Sequence, residues 1–174
     1  MSSRTINCEF KARCRSPLSV ISFLEDAGAV FKGFDHQTDT YFNVRHGRLK
    51  IRDGKIENNL IWYDRSNTKD SRISEVLLFK SKNMGTLKEI LAASFGILAV
   101  VDKKRRIYFI ENVKFHLDEV KGLGKFVEVE AQGLLGEEKR LHHQCNYYRQ
   151  QLLVRQEDII GGSYCDMITT DYDK

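Results

Sequence analysis

Polar and apolar residues alternate with a period of two along most of this chain. In the stretch NCEFKAR, from Asn7 to Arg13, the odd positions are polar and the even positions are Cys8, Phe10 and Ala12. A period of two places successive side chains on opposite faces of a β-strand. The stretch therefore predicts a strand with one apolar face and one ionic face.

Six further stretches have strand-like alternation or strand-forming composition. They are GRLKIR, NLIWYDR, SEVLLFKSK, KKRRIYFI, VKFHLD and KFVEVEAQ. The turn sequences DGK at residues 53–55 and KGLGK at residues 121–125 predict hairpin connections between neighbouring strands. We therefore expect a mainly antiparallel sheet of about eight strands.

Three segments have helical spacing instead of alternation. SPLSVISFLEDAG begins with a Ser-Pro start signal and ends at Gly28. TLKEILAASFG carries Thr86 and Glu89 at the spacing of a capping box. A third helix is expected over residues 137–153, where apolar residues recur along one stripe. Strands interrupted by these helices indicate the α+β class.

The polar faces of several strands are ionic. The charged pairs spaced two apart are Glu9 with Lys11, Lys50 with Arg52, Lys103 with Arg105, and Glu128 with Glu130. Two arrangements are open, and the ordinary one is a sheet whose charged face is solvated. The other is a closed barrel with ionic faces inward and apolar faces packed outward under the helices. An ionic interior would suit a triphosphate, since Arg and Lys bind phosphate oxygens and carboxylates bind hard divalent ions.

Length and composition narrow the class of protein. A chain of 174 residues, 41% hydrophobic and 30% charged, suits one globular domain over residues 1–174. Its net charge of +4 permits an anionic ligand without requiring nucleic acid. No apolar run approaches the roughly 18 residues of a membrane span, and the first residues lack a signal-peptide core, so we expect a cytoplasmic protein. Four cysteines without CxxC spacing predict free thiols.

Several motifs, taken together in their order and spacing, resemble the CYTH domain, the triphosphate tunnel metalloenzyme family that includes class IV adenylyl cyclases and thiamine triphosphatases. The family opens with a Glu-x-Glu-x-Lys strand, which corresponds here to NCEFK at residues 7–11. The other matching motifs are QTDTYFNV with GRLKIR, then VDKKRRIY, then HLDEVKGLGKFVEVE, and the closing GGSYCDM resembles the cyclase-like branch. The resemblance implies a closed antiparallel β-barrel with flanking helices, whose tunnel binds a triphosphate.

The resemblance also implies roles for individual residues. The ligands of Mg²⁺ or Mn²⁺ would be Glu9, Asp118, Glu128 and Glu130. The phosphate-binding residues would be Lys11, Lys50, Arg52, Arg65, Lys103 and Arg105, of which Lys11, Arg52 and Arg105 would be catalytic. Asn7 stands where the family has its first glutamate, so a neutral amide replaces a negative ligand. We therefore expect weaker or altered metal binding.

Three functions fit this pattern. Our first expectation is a metal-dependent class IV adenylyl cyclase-like enzyme that converts ATP to cyclic AMP and pyrophosphate. The alternatives are a triphosphatase acting on inorganic, thiamine or nucleoside triphosphate, and a noncatalytic protein that binds triphosphate or polyphosphate. The expected partner is a triphosphate-containing small molecule, with no nucleic acid and no membrane, and a homodimer is compatible with the sequence. No residue stands out as a general base, and His116 either lines the tunnel mouth or is structural.

Overall fold

The computed structural model describes residues 5–65, 71–81 and 84–172, which contain a ring of eight antiparallel strands. The strands are β1 (Thr5–Arg13), β2 (Val30–Phe42), β3 (Arg48–Asp53), β4 (Asn59–Asp64), β5 (Arg72–Lys80), β6 (Ile97–Ile110), β7 (Val113–Val120) and β8 (Gly124–Leu134). Around the ring their order is β1-β5-β4-β3-β2-β6-β7-β8, and pairing of β8 with β1 closes the barrel. The predicted α+β fold with a closed antiparallel barrel is confirmed.

The helices lie outside this ring. They are α1 (Pro17–Asp26), α2 (Gly85–Phe95), α3 (Glu138–Gln151) and α4 (Tyr164–Tyr172), with a short 3₁₀ turn at Gln156–Asp158. The three predicted helices are confirmed, whereas α4 was not anticipated. The predicted capping box of α2 is wrong, because Met84 precedes the helix, no side chain caps it, and Thr86 already lies in its first turn.

The apolar faces of β1, β7 and β8 point outward and are covered by helices. Cys8 and Phe10 of β1 are buried in one cluster with Leu24 of α1 and Leu141 of α3. Removal of these apolar faces from water favours this arrangement. Because side chains alternate along a strand, the same packing turns the polar positions of β1 toward the inside of the barrel.

Of the eight strands, β2 is the one that the sequence pattern did not predict. This strand pairs with β6 along its length, with register shifts between Phe31 and Gly33 and near Phe42. Those irregularities interrupt the alternation on which strand prediction depends. Beyond the first shift, Gln37 and Asp39 point inward and are almost fully buried.

Two simpler expectations concern the cysteines and the membrane. All four cysteines are free thiols, as predicted, and three of them are buried while Cys14 is half-buried. Within the described ranges, no helix combines the length and the apolar character that a bilayer crossing requires.

Candidate active site

The barrel encloses a cavity of about 1180 Å³ to which all eight strands contribute side chains. Among the described residues that line it, ten are Lys or Arg and five are Asp or Glu. The cavity therefore carries an excess of five formal positive charges when its histidine is neutral. A concave surface with such an excess attracts anions.

Nine of the ten side chains that the sequence predicts for the site line this cavity. They are Glu9, Lys11, Lys50, Arg52, Arg65, Lys103, Arg105, Glu128 and Glu130. The tenth, Asp118, is buried behind Arg105 and does not line it. The inward arrangement of the ionic faces, one of the two open alternatives, is the one that the barrel adopts.

A buried carboxylate organises the cationic side of the cavity. Asp39 is 1% exposed and accepts hydrogen bonds from Lys50 at 2.9 Å and from Arg52 at 2.9 and 3.0 Å. Its oxygen also lies 2.6 Å from the ammonium nitrogen of Lys103. Burial opposes ionisation of Asp39, but the charges of Arg52, Lys103 and Lys50 outweigh it and hold the pKa of Asp39 well below its ordinary value. One carboxylate thus faces three cations, which leaves capacity for a further anion.

Lys103 is affected most strongly by this environment. Burial lowers the pKa of its ammonium well below the ordinary value, Asp39 opposes that effect, and the charges of Arg52 and Arg105 reinforce it. A bound polyanion would raise this pKa, because a neighbouring negative charge favours the protonated form. The pKa of Lys103 is therefore sensitive to the charge of a bound ligand.

A second group of contacts fixes Arg105 and Lys11. Arg105 donates two hydrogen bonds of 2.6 Å to Asp118 and one of 3.2 Å to Glu128, and Lys11 donates to Glu128 at 2.6 Å. The hydroxyl of Tyr164 also donates to Asp118 at 2.7 Å. Burial opposes ionisation of Asp118, yet Arg105 lowers its pKa to about 2. Asp118 thus holds Arg105 in place.

Two further carboxylates face each other across the seam between β1 and β8. Glu9 and Glu130 are direct cross-strand partners, and both line the cavity. Glu9 forms ion pairs with Arg65 and, at 3.5 Å, with Arg72. The amide of Asn7 donates to Glu130 at 2.6 Å. Like charges directly opposite on neighbouring strands are unfavourable unless a cation offsets them.

This pair of carboxylates fits a divalent metal that is shared with a ligand. Mg²⁺ is commonly bound through one or two carboxylates plus substrate phosphates. Glu9 and Glu130 supply two such groups, and the bonds that Glu130 accepts from Asn7 and Gln132 both go to one of its oxygens. In Glu128 both oxygens are engaged, by Lys11, Arg105 and His116. Among the described residues, no three His, Cys, Asp or Glu side chains form a metal-binding group by themselves. The donor set suits a metal whose coordination is completed by phosphate oxygens.

The sequence left open whether His116 lines the tunnel mouth or is structural, and the structure places it in the lining of the cavity. It is 2% exposed, and its Nδ1 lies 3.0 Å from Glu128. Because the carboxylate can only accept, Nδ1 carries the proton and Nε2 presents a lone pair. Burial lowers the pKa of His116 to about 4, and the charges of Arg105 and Lys114 add to the effect.

The two ends of the cavity differ. At the end that we call the Tyr164 end, Arg72 donates to the carbonyl oxygens of Ile160 and Gly161, at 3.3 and 2.6 Å. There the ring of Tyr164 lies 4.1 Å from the ammonium of Lys11. The segment before α4 thus covers this end. At the opposite end, which we call the Glu57 end, the β3–β4 loop contributes Glu57 to the lining.

Several residues of the site were missed by sequence reasoning. They are Asp39, Tyr41, Glu57, Tyr63, Arg72, Lys114 and Tyr164. For Asp39 and Tyr41 a signal existed, since Gln37, Asp39 and Tyr41 have the period of two. Tyr63 follows Trp62 in the predicted strand NLIWYDR, neighbours on a strand face opposite ways, and Tyr63 is the one that points inward. Glu57 lies on a loop, where no periodicity places a side chain.

The comparisons with known proteins agree with this architecture. A model of the CYTH domain matches residues 5–143. No curated protein has a significant sequence match to the chain. The PH1012 protein of Pyrococcus horikoshii OT3 has a similar structure, with a TM-score of 0.80 at 22% identity over 92% of this chain and 98% of the other.

Two other similar structures carry descriptions of activity. A proposed adenylate cyclase from Vibrio parahaemolyticus has a TM-score of 0.78 at 14% identity, covering 94% of this chain and 98% of its own. A proposed adenylyl cyclase from Hippeastrum, described as having a dominant triphosphatase activity, has a TM-score of 0.58 at 15% identity, covering 97% and 96%. At these identities the similarity shows a shared fold.

Proposed function

The chain belongs to the CYTH domain family, and on that premise we propose that it is a metal-dependent enzyme acting on an organic triphosphate, with adenylyl cyclase chemistry as the first candidate. The observation that carries the proposal is the enclosed cavity with its excess of five positive charges. Such an interior is costly to maintain unless an anion with several charges occupies it. A triphosphate carries several negative charges, and its elongated shape matches that of a barrel interior.

The lining of the Glu57 end favours an organic substituent on the triphosphate. Apolar side chains there are Ile56 of the loop itself, Ile107, and Phe109, which is the cross-strand partner of Lys114. Apolar and aromatic lining is typical of sites that bind the organic part of a ligand. The phosphates would lie deeper, among the ionic residues, with the nucleoside toward the Glu57 end.

In this proposal Lys11, Arg52 and Arg105 are the catalytic residues, and Lys50, Arg65 and Lys103 also bind phosphate oxygens. Glu9 and Glu130 would hold Mg²⁺ or Mn²⁺, with Glu128 close by. Asp118 acts through Arg105, because both of its oxygens are already bonded.

In the cyclase reaction the ribose 3′-hydroxyl attacks the α-phosphorus, and pyrophosphate leaves. The cations neutralise charge that develops on the phosphate oxygens and the leaving group, and their positions are fixed beforehand by Asp39, Asp118 and Glu128. A bound divalent ion would supply Lewis-acid assistance to the same charge. Preorganised cations are effective because they need little reorientation during the reaction.

A triphosphatase is the second candidate, in which water attacks the terminal phosphorus. The Hippeastrum protein, whose description gives triphosphatase activity as dominant, has the same fold. The same cations would serve either reaction, since the two differ in which phosphorus faces the attacking oxygen. A noncatalytic triphosphate-binding protein is the remaining outcome.

The test is incubation with ATP, tripolyphosphate and thiamine triphosphate, each with Mg²⁺ or Mn²⁺. Cyclic AMP with pyrophosphate supports the first candidate, and orthophosphate supports the second. Binding without turnover would overturn the enzyme proposal. The double variant Lys11→Ala, Arg52→Ala should lose binding of all three compounds. The matched control is Lys104→Ala, Arg106→Ala, which removes two exposed cations from the outward face of β6 and should bind like wild type.

A further inference from the structure

The β3–β4 loop, residues 54–58, is held against the Glu57 end of the cavity by a buried carboxylate. Asp35 is 1% exposed and accepts hydrogen bonds from the backbone amides of Lys55 at 2.8 Å and Glu57 at 3.1 Å. At Gly54 a β-carbon would lie 2.6 Å from the Asp35 carboxylate, so the backbone approaches too closely for any side chain. The loop is therefore fixed in one position by packing and hydrogen bonds.

From this fixed loop the side chain of Glu57 reaches into the cationic lining. One carboxylate oxygen accepts hydrogen bonds from Arg52 at 2.8 Å and from Gln37 at 3.0 Å. The other is paired with Lys114. The Glu57 side chain is only 13% exposed. Glu57 thus bridges β3 and β7, which are not adjacent in the ring.

The cations around Glu57 keep its carboxylate ionised. Burial opposes ionisation, but the charges of Arg52 and Lys114 outweigh it and hold the pKa of Glu57 well below its ordinary value. An ionised carboxylate on Arg and Lys makes the contacts that a phosphate oxygen would make there. A phosphate group that took this position would have to displace Glu57 or lie beside its negative charge.

We propose that Glu57 is a specificity-determining residue that limits how many phosphate groups the cavity accepts. By occupying Lys114 and one N–H of Arg52 at the outer boundary of the ionic lining, Glu57 leaves the deeper cations and the remaining donors of Arg52 for a triphosphate and excludes longer inorganic polyphosphate chains. The inference rests on the proposed function, because it assumes that the phosphates lie among those deeper cations. An uncharged organic group at the Glu57 end avoids the repulsion that a fourth phosphate would meet.

The experiment measures dissociation constants of pyrophosphate, tripolyphosphate and linear tetrapolyphosphate by calorimetry, without metal and with Mg²⁺. The variant Glu57→Gln keeps the size of the side chain and removes its charge. Its affinity for tetrapolyphosphate should rise by about tenfold or more, which corresponds to removal of one close like-charge interaction. Its affinity for pyrophosphate should stay within about threefold of wild type.

Two further variants control for charge and for folding. Glu119→Gln makes the same chemical change at an exposed position on β7 and should leave all three constants unchanged. Glu57→Asp keeps the charge but shortens the reach to Lys114, and it should raise tetrapolyphosphate affinity by less than Glu57→Gln. Retained tripolyphosphate binding by Glu57→Gln reports that the variant is folded.

The outcomes separate this inference from the proposed function. If wild type binds none of the three compounds, the proposed function fails. If wild type binds tripolyphosphate and Glu57→Gln strengthens all three ligands equally, Glu57 acts only through overall charge and the inference is wrong. Weaker binding of every ligand by Glu57→Gln would also overturn it, because Glu57 would then support the site instead of restricting it.

Discussion

Replacement of Asp39 by asparagine should destabilise the folded protein strongly, because three buried cations depend on this one carboxylate. Lys50, Arg52 and Lys103 all contact Asp39, at 2.6 to 3.0 Å. Lys103 is 1% exposed, and Lys50 and Arg52 are each 8% exposed, so solvent cannot replace the lost charge without rearrangement. The variant Asp39→Asn preserves shape and removes the charge alone.

The magnitude follows from the number of pairs and their burial. At an effective dielectric constant of about 20, each pair of charges about 4 Å apart contributes about 4 kcal/mol of gross attraction. Desolvation of the carboxylate offsets several kcal/mol of that total. Removal of one partner from a buried ion pair costs about 3–5 kcal/mol in practice, and we expect that loss in the free energy of unfolding. For a chain of this length the loss corresponds to a melting temperature lower by about 6–20 °C.

Urea denaturation at pH 7, monitored by circular dichroism, gives the free energy of unfolding directly. Asp53→Asn, the same change at an exposed position at the end of β3, should alter it by less than about 0.5 kcal/mol. A loss below about 1 kcal/mol for Asp39→Asn would refute the reasoning. It would mean that the three cations are not held by Asp39 or that water reaches them freely.

Three further predictions concern protons and metal. The free energy of unfolding should fall by about 3 kcal/mol as the pH drops from about 6.5 to about 4, because His116 stays neutral in the folded state and takes up a proton in the unfolded state. In His116→Gln, the free energy of unfolding measured by urea denaturation should change much less over that pH range. With tripolyphosphate present, Asn7→Glu should tighten Mn²⁺ binding about tenfold, because it adds a third carboxylate beside Glu9 and Glu130. An electron paramagnetic resonance titration in which the variant leaves the same free Mn²⁺ signal as wild type would count against this prediction. A bound polyanion raises the pKa of Lys103, so the proton uptake that accompanies tripolyphosphate binding at alkaline pH should be smaller in Lys103→Met than in wild type, as measured by calorimetry in buffers of different ionisation enthalpy.

Much of the barrel could be predicted from the sequence because strands such as β1, β3 and β7 keep strict alternation. In β1 the apolar residues Cys8 and Phe10 face the helices, while Glu9 and Lys11 face the cavity. The pattern alone could not tell an ionic interior from a solvated face, since both have the same period. The resemblance to the CYTH family resolved that ambiguity, and the fold confirms it.

The site features that the sequence did not predict depend on contacts between residues that are far apart in the chain. Asp118 has the same spacing as the cavity residues, yet its carboxylate is turned to Arg105 and Tyr164. Tyr164 itself comes from α4, which neither alternation nor helical spacing identified. The single domain over residues 1–174, the cytoplasmic location and the homodimer stay predictions.

The seam between β1 and β8 has a consequence for biosynthesis. Lys11 and Glu128, which are bonded across it, are 117 residues apart in the chain. While the polypeptide emerges from the ribosome, its first strand has only β5 available as a neighbour and presents an unpaired edge until β8 has been translated. The charged lumen can be enclosed only at that late stage, so nascent chains that stall before β8 should expose β1 to chaperones and proteases.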